Sequence, residues 1–112
     1  MTRPANELTA VEALAAIVAG RLTAEAWMLA CLERIAARDA LVKAFVDFAP
    51  ARALAEARAR DRAPRRGPLN GLPIGVKDII DTHDMPTQYG AHQRLLHAVA
   101  TRPGGATWFA QA

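Results

Sequence analysis

The sequence predicts an α/β chain that is helical through its first half and turns to strand in its second. Three observations carry this. Apolar residues recur at helical spacing between Leu14 and Ala36, first as Leu14, Ile17 and Val18 and then as Met28, Leu29, Leu32, Ile35 and Ala36. Leu72, Ile74 and Val76 alternate with Pro73, Gly75 and Lys77, the period of two expected of a short strand. Between them, the run from Arg60 to Gly71 holds two prolines, two glycines and four arginines and allows no regular element. With 112 residues the chain can bury one modest core, and two independent cores are excluded.

Each element follows from local chemistry. Thr9 and Glu12 fit a capping box, in which the hydroxyl accepts from an unpaired amide and the glutamate reaches back to the cap. Gly20 stands where a helix-terminating glycine belongs, so a first helix is expected from about Ala10 to Ala19. Thr23 offers the next N-cap, with Glu25 in the first turn and Arg34 and Arg38 near the end to suit the helix dipole. A second helix is expected from Ala24 to Arg38. Lys43 to Phe48 has the aromatic and branched content of a short strand, and Pro50 opens a third, alanine-rich helix to about Arg60. Three helices thus precede the strand at Leu72 to Val76. Proline gives no ladder N–H, so pairing there is expected from Ile74 onward. Lys77 then projects from the face opposite Leu72, Ile74 and Val76.

Composition excludes several functions. Alanine supplies 26 of the 112 positions, so much of the 52% hydrophobic content is small side chain. No serine occurs from Met1 to Ala112, and alone the chain is no serine hydrolase. A net charge of +3 argues for neither a nucleic-acid nor a membrane partner. Twelve of the fourteen basic residues are arginine, which sets Lys43 and Lys77 apart. Cys31 is the one cysteine; it allows no intrachain disulfide and no multi-cysteine metal site, and a reducing, cytoplasmic setting is expected. The first residues, with two glutamates and no unbroken apolar run, do not read as a signal peptide, and no stretch approaches the apolar length of a membrane span.

The other clusters read blandly. Gly67, Gly71 and Gly75 lie four apart, and Gly71 to Lys77 superficially resembles a phosphate loop, but the spacing is wrong and Asp78 follows the lysine. Asp78, Asp81 and Asp84 lack the pattern of a calcium loop and read as turn residues. His83, His92 and His97 are scattered and, with Cys31, predict no metal. Arg60, Arg62, Arg65 and Arg66 have no interleaved aromatic and read as a solvated loop. Lys77 stands at the end of an apolar strand among glycine and proline, where desolvation would favour the neutral amine a base requires. From residue type and setting alone, an ordinary paired lysine is the stronger reading and a base the alternative.

The segment GPLNGLPIGVKDIIDTHDMPTQYG, residues 67–90, resembles the amidase signature family, whose members share a G-P-L-x-G-I/L-P-I/V-x-V/I-K-D core followed by a G-M-P-T-like turn. The upstream pattern is similar to the same family: an L-T-A-V-E first helix, a helix after L-S/T-A-E, a short A-F-V strand and a polar helix. The resemblance spans Leu8 to Gly90. Asp84 stands where glycine is common. The resemblance implies a mixed α/β fold around a twisted sheet and hydrolysis of amide C–N bonds by a Ser-cisSer-Lys triad, without cofactor or metal. Lys77 matches the triad lysine, which takes a proton through the cis serine from the nucleophilic serine. Both serines of that triad lie downstream of the lysine, beyond this chain. The substrate implied for the whole enzyme is a small amide.

The resemblance also implies a division. Residues 1–112 form a partial amidase domain, with 8–60 a helical region containing a short strand, 61–71 a linker loop, 72–90 the strand and turn carrying the lysine motif, and 91–112 an atypical tail. In the tail, Ala106 to Ala112 is loosely similar to the start of a family helix, whereas Ala91 to Gly105 is not. A truncated or frame-shifted gene product is expected, against a naturally short module. As a fragment it is expected to be inactive alone and prone to self-association through open strand edges. The competing readings are a binding or regulatory module derived from an amidase front, and a fragment of the amidase component of a glutamyl-tRNA amidotransferase. The Pro86 to Gly90 segment looks closer to stand-alone amidases.

Overall fold

The structure, a computed structural model, describes residues 3–64, 67–77 and 80 in full and the strand 107–111 by its backbone. After a short 3-10 turn at Ala5–Glu7, helix α1 spans Ala10–Val18 and α2 spans Ala24–Val42. Strand β1 (Asp47–Phe48), helix α3 (Pro50–Arg62), strand β2 (Pro73–Val76) and strand β3 (Thr107–Gln111) follow. The α/β class is as expected.

Local signals set the helix starts. The Thr9 hydroxyl accepts from Glu12 N at 3.2 Å and the Glu12 carboxylate accepts from Thr9 N at 2.8 Å, closing the capping box of α1. Gly20, at φ +75°, ends that helix in the left-handed region that a β-carbon disfavours. Thr23 Oγ1 accepts from Ala26 N at 3.0 Å to cap α2. Pro50 opens α3 without any side-chain cap, its missing N–H being one the first turn would have left unpaired.

Helix α2 runs four residues beyond the expected end at Arg38, so neither Arg34 nor Arg38 lies in its last turn. Asp39 governs the exit. Its carbonyl accepts from Lys43 N at 2.7 Å and its carboxylate from Ala44 N at 2.8 Å, while Lys43 takes φ 56°. Lys43 is therefore the C-cap of α2 rather than the start of a strand, and β1 shrinks to Asp47–Phe48.

Packing centres on α2. One of its faces buries Ala24, Met28 and Leu32 against Ala53 and Ala57 of α3, with Phe48 and Leu54 alongside. The alanines four apart on α3 leave no bulk between the helices. The other face places Trp27 with Ala13 and Ile17 of α1, and Leu22, Cys31 and Leu72 pack onto that cluster. Burying a side chain of this size is worth about 2–3 kcal/mol.

The sheet has the order β1-β3-β2. β3 pairs antiparallel with β1, Asp47 opposite Gln111 and Phe48 opposite Ala110. It pairs parallel with β2, with an irregularity between Ile74 and Gly75 that leaves Phe109 outside the register. Two expectations are corrected here. Thr107–Gln111, in the stretch likened to the start of a helix, is a strand, because the branched and aromatic run from Thr107 to Phe109 suits a strand and fills the place between β1 and β2. Pairing on β2 begins at Pro73, opposite Thr107, rather than at Ile74, for a strand can join a ladder through its carbonyl alone.

Candidate active site

Lys77 follows the last residue of β2. Along the strand Gly75 is exposed, Val76 is 4% exposed and packs with Ile74, and Lys77 is exposed, so burial alternates as a half-covered strand requires. The Lys77 carbonyl accepts from Ile80 N at 3.0 Å, which turns the chain directly after the lysine. Phe45 lies over the strand at Gly75, where an added β-carbon would stand 3.7 Å from its Cε1, and its ring stacks on Phe48 with centroids 5.9 Å apart. An apolar aromatic pair therefore flanks the strand that delivers the amine.

The motif upstream of Lys77 is built into the core. Asn70 N and Leu72 N donate to the carbonyls of Gly67 and Leu69 at 3.1 Å each, folding residues 67–72 into consecutive turns. Asn70 is buried, and its Nδ2 reaches the Arg60 carbonyl at 3.4 Å. Gly71 takes φ +87°, and a β-carbon there would stand 2.7 Å from the Ala24 Cβ. Both Asn70 and Gly71 are held by residues of α2 and α3, across separations no local pattern reveals. Asp61 is the residue the sequence concealed most completely: read as part of a linker, it belongs to α3 and its carboxylate caps α2.

The remaining sequence candidates divide simply. Cys31 is half-buried against the Trp27 cluster, and burial pushes its thiol pKa up, away from the reactive thiolate. Asp78, Asp81, His83, Asp84, His92 and His97 lie outside the described residues, as do Arg65 and Arg66. Among the described residues, no three histidine, cysteine or acidic side chains gather as a metal would need, and no helix is long and apolar enough to cross a membrane.

Helices layered on a mixed sheet, with a motif lysine leaving a strand whose approach is locked by glycine and asparagine, define part of a mixed α/β domain. The chain belongs to the amidase family, whose model matches residues 26–103. It superposes over 96% of its length on the peptide amidase of Stenotrophomonas maltophilia, with a TM-score of 0.79 and 32% identity, and covers 25% of that chain. A bacterial aryl acylamidase of the amidase signature family gives a TM-score of 0.84 over 97% of this chain and 26% of its own, at 18% identity, a likeness of fold alone. A glutamyl-tRNA(Gln) amidotransferase subunit from Chloroflexus aggregans is 47% identical over 88 residues, 75% of this chain and 18% of that protein. The chain thus spans under a fifth of that relative's length.

Proposed function

We propose that Lys77 is the general base of an amide-hydrolysing site of which this chain supplies the lysine-bearing part. The observation that carries the reading is its place: the lysine stands directly after a strand whose preceding residue is buried, inside the long motif shared with amidases. In that role the neutral amine of Lys77 takes a proton by way of a cis serine from a second serine, whose oxygen attacks the amide carbonyl. The C–N bond breaks as the amine leaves with a proton, and water then releases the acyl group. A lysine serves as a base only when its amine is deprotonated, which desolvation favours. Lys77 is exposed in the 112-residue chain, so the cover would come from the rest of an amidase domain.

The two serines must also come from outside, since this sequence has none. Residues that act as a unit lose nearly all their effect when one is missing. The 112-residue chain alone therefore hydrolyses no amide, and Lys77→Ala changes nothing in it. The test is release of amine from a panel of small amides by the purified chain with and without the substitution. Lys77-dependent turnover would overturn this reading. For the whole protein, the superposition on a peptide amidase supports a stand-alone amidase acting on a small amide, and the 47% identity to a glutamyl-tRNA(Gln) amidotransferase subunit supports, as the second reading, a component of a multi-subunit amidotransferase. A cytoplasmic location accords with either.

A further inference from the structure

We propose that Asp61 is a positioning residue for Lys77, tying the first turn of α2 to the end of α3 and thereby setting where β2 delivers the lysine. The inference rests on the reading of Lys77 as the base. Both oxygens of the Asp61 carboxylate are engaged: Oδ1 accepts from Ala24 N at 2.7 Å and Oδ2 from Glu25 N at 3.0 Å. The third amide of the turn, that of Ala26, goes to Thr23 Oγ1 at 3.0 Å. Local and distant caps thus share one helix end. A carboxylate at a helix N-terminus makes charge-assisted bonds to amides that would otherwise lack partners. Glu25 reinforces the tie, its carboxylate accepting from Arg58 Nε of α3 at 2.8 Å.

The contacts close a ring. Asp61 holds Ala24; the Ala24 Cβ leaves Gly71 no room for a β-carbon, at 2.7 Å; Gly71 is bonded to Asn70; and Asn70 reaches back to the carbonyl of Arg60, the residue before Asp61. β2 begins two residues after Gly71, and Lys77 follows its last residue. An extended strand pinned at its start leaves little freedom at its end, so displacement of Ala24 reaches the lysine backbone.

The experiment compares amide spectra of the full 112-residue chain as wild type, Asp61→Asn and Thr23→Ala. Both variants weaken the capping of the same turn of α2, but only Asp61→Asn loosens the tie to α3, since the carboxamide keeps one acceptor oxygen and loses the second together with the charge. Positioning predicts that Asp61→Asn shifts the Val76 and Lys77 amide resonances and speeds their hydrogen exchange by roughly five- to tenfold relative to Thr23→Ala. Equal behaviour of the two variants at Val76 and Lys77 would make Asp61 a helix cap and nothing more, and would overturn the proposal. If Asp61→Asn does not fold, the wild-type chain decides through native-state exchange across a denaturant series. A ring that acts as a unit opens the Ala24, Glu25 and Val76 amides in one step with a common slope, and separate openings overturn it. No amide substrate enters either measurement, so a failure here is distinguishable from a failure of Lys77 as base.

Discussion

Gly71 sits against Ala24 so closely that a β-carbon at position 71 would stand 2.7 Å from the Ala24 Cβ, and it does so at φ +87°. Two separate penalties therefore meet any side chain there, one from the backbone conformation and one from overpacking. The first is about 1–2 kcal/mol and the second about 1–3 kcal/mol. Gly20, at φ +75° with nothing within 4 Å, carries the first alone. Gly75 carries neither, its nearest neighbour being Phe45 at 3.7 Å.

Alanine substitutions at these three glycines should accordingly rank. Gly71→Ala is expected to cost about 2–5 kcal/mol, Gly20→Ala about 1–2 kcal/mol, and Gly75→Ala to be neutral or slightly stabilising. Denaturant unfolding of the three variants checks the order. Equal losses at Gly71 and Gly20 would mean that Ala24 yields without cost.

Acid should loosen the start of α1. The Thr9 amide and the Arg3 guanidinium, the latter 2.6 Å from Glu12 Oε1, hold the Glu12 carboxyl below the usual glutamate value. A carboxylate whose pKa is lowered by folding contributes stability above its unfolded value and loses it as pH falls through the folded one. The melting-temperature difference between wild type and Glu12→Gln should thus hold steady above the ordinary glutamate range and vanish below it. A difference that persists at the lowest pH would show that charge is not what Glu12 contributes.

Cys31 should label slowly. Its pKa is raised by burial and it packs beside Trp27, so a thiol reagent is expected to react markedly faster in denaturant than with the native chain. Equal rates in the two conditions would contradict the packing described for α2.

What was legible in the sequence was what adjacent residues decide. The Thr9–Glu12 box, the Thr23 cap, Gly20, Pro50 at a helix start and the alternation from Ile74 to Val76 each depend on neighbours a few positions apart. The end of α2 escaped because the apolar stripe stops at Ala36, while Leu41 and Val42 are exposed and the helix persists until Asp39 and the left-handed Lys43 release it. Asp61 escaped because its partners lie 36 and 37 positions away. β3 escaped for the same reason: its place between β1 and β2 is a matter of tertiary pairing, and likeness to a family helix pointed the other way. The motif around Lys77 could be read along the chain, whereas the contacts among Asp61, Ala24, Gly71 and Asn70 could not.

The role of Lys77 as the base of an amide hydrolase is tested most directly by a chimaera. The part of the Stenotrophomonas maltophilia peptide amidase that superposes on this chain, 25% of that enzyme, is replaced by this chain's residues, and turnover of the enzyme's own substrate is measured with lysine or alanine at position 77. Lys77→Ala is predicted to lower kcat by about a thousandfold with the chimaera still folded. Turnover at the undiminished rate in the Lys77→Ala chimaera would contradict that role.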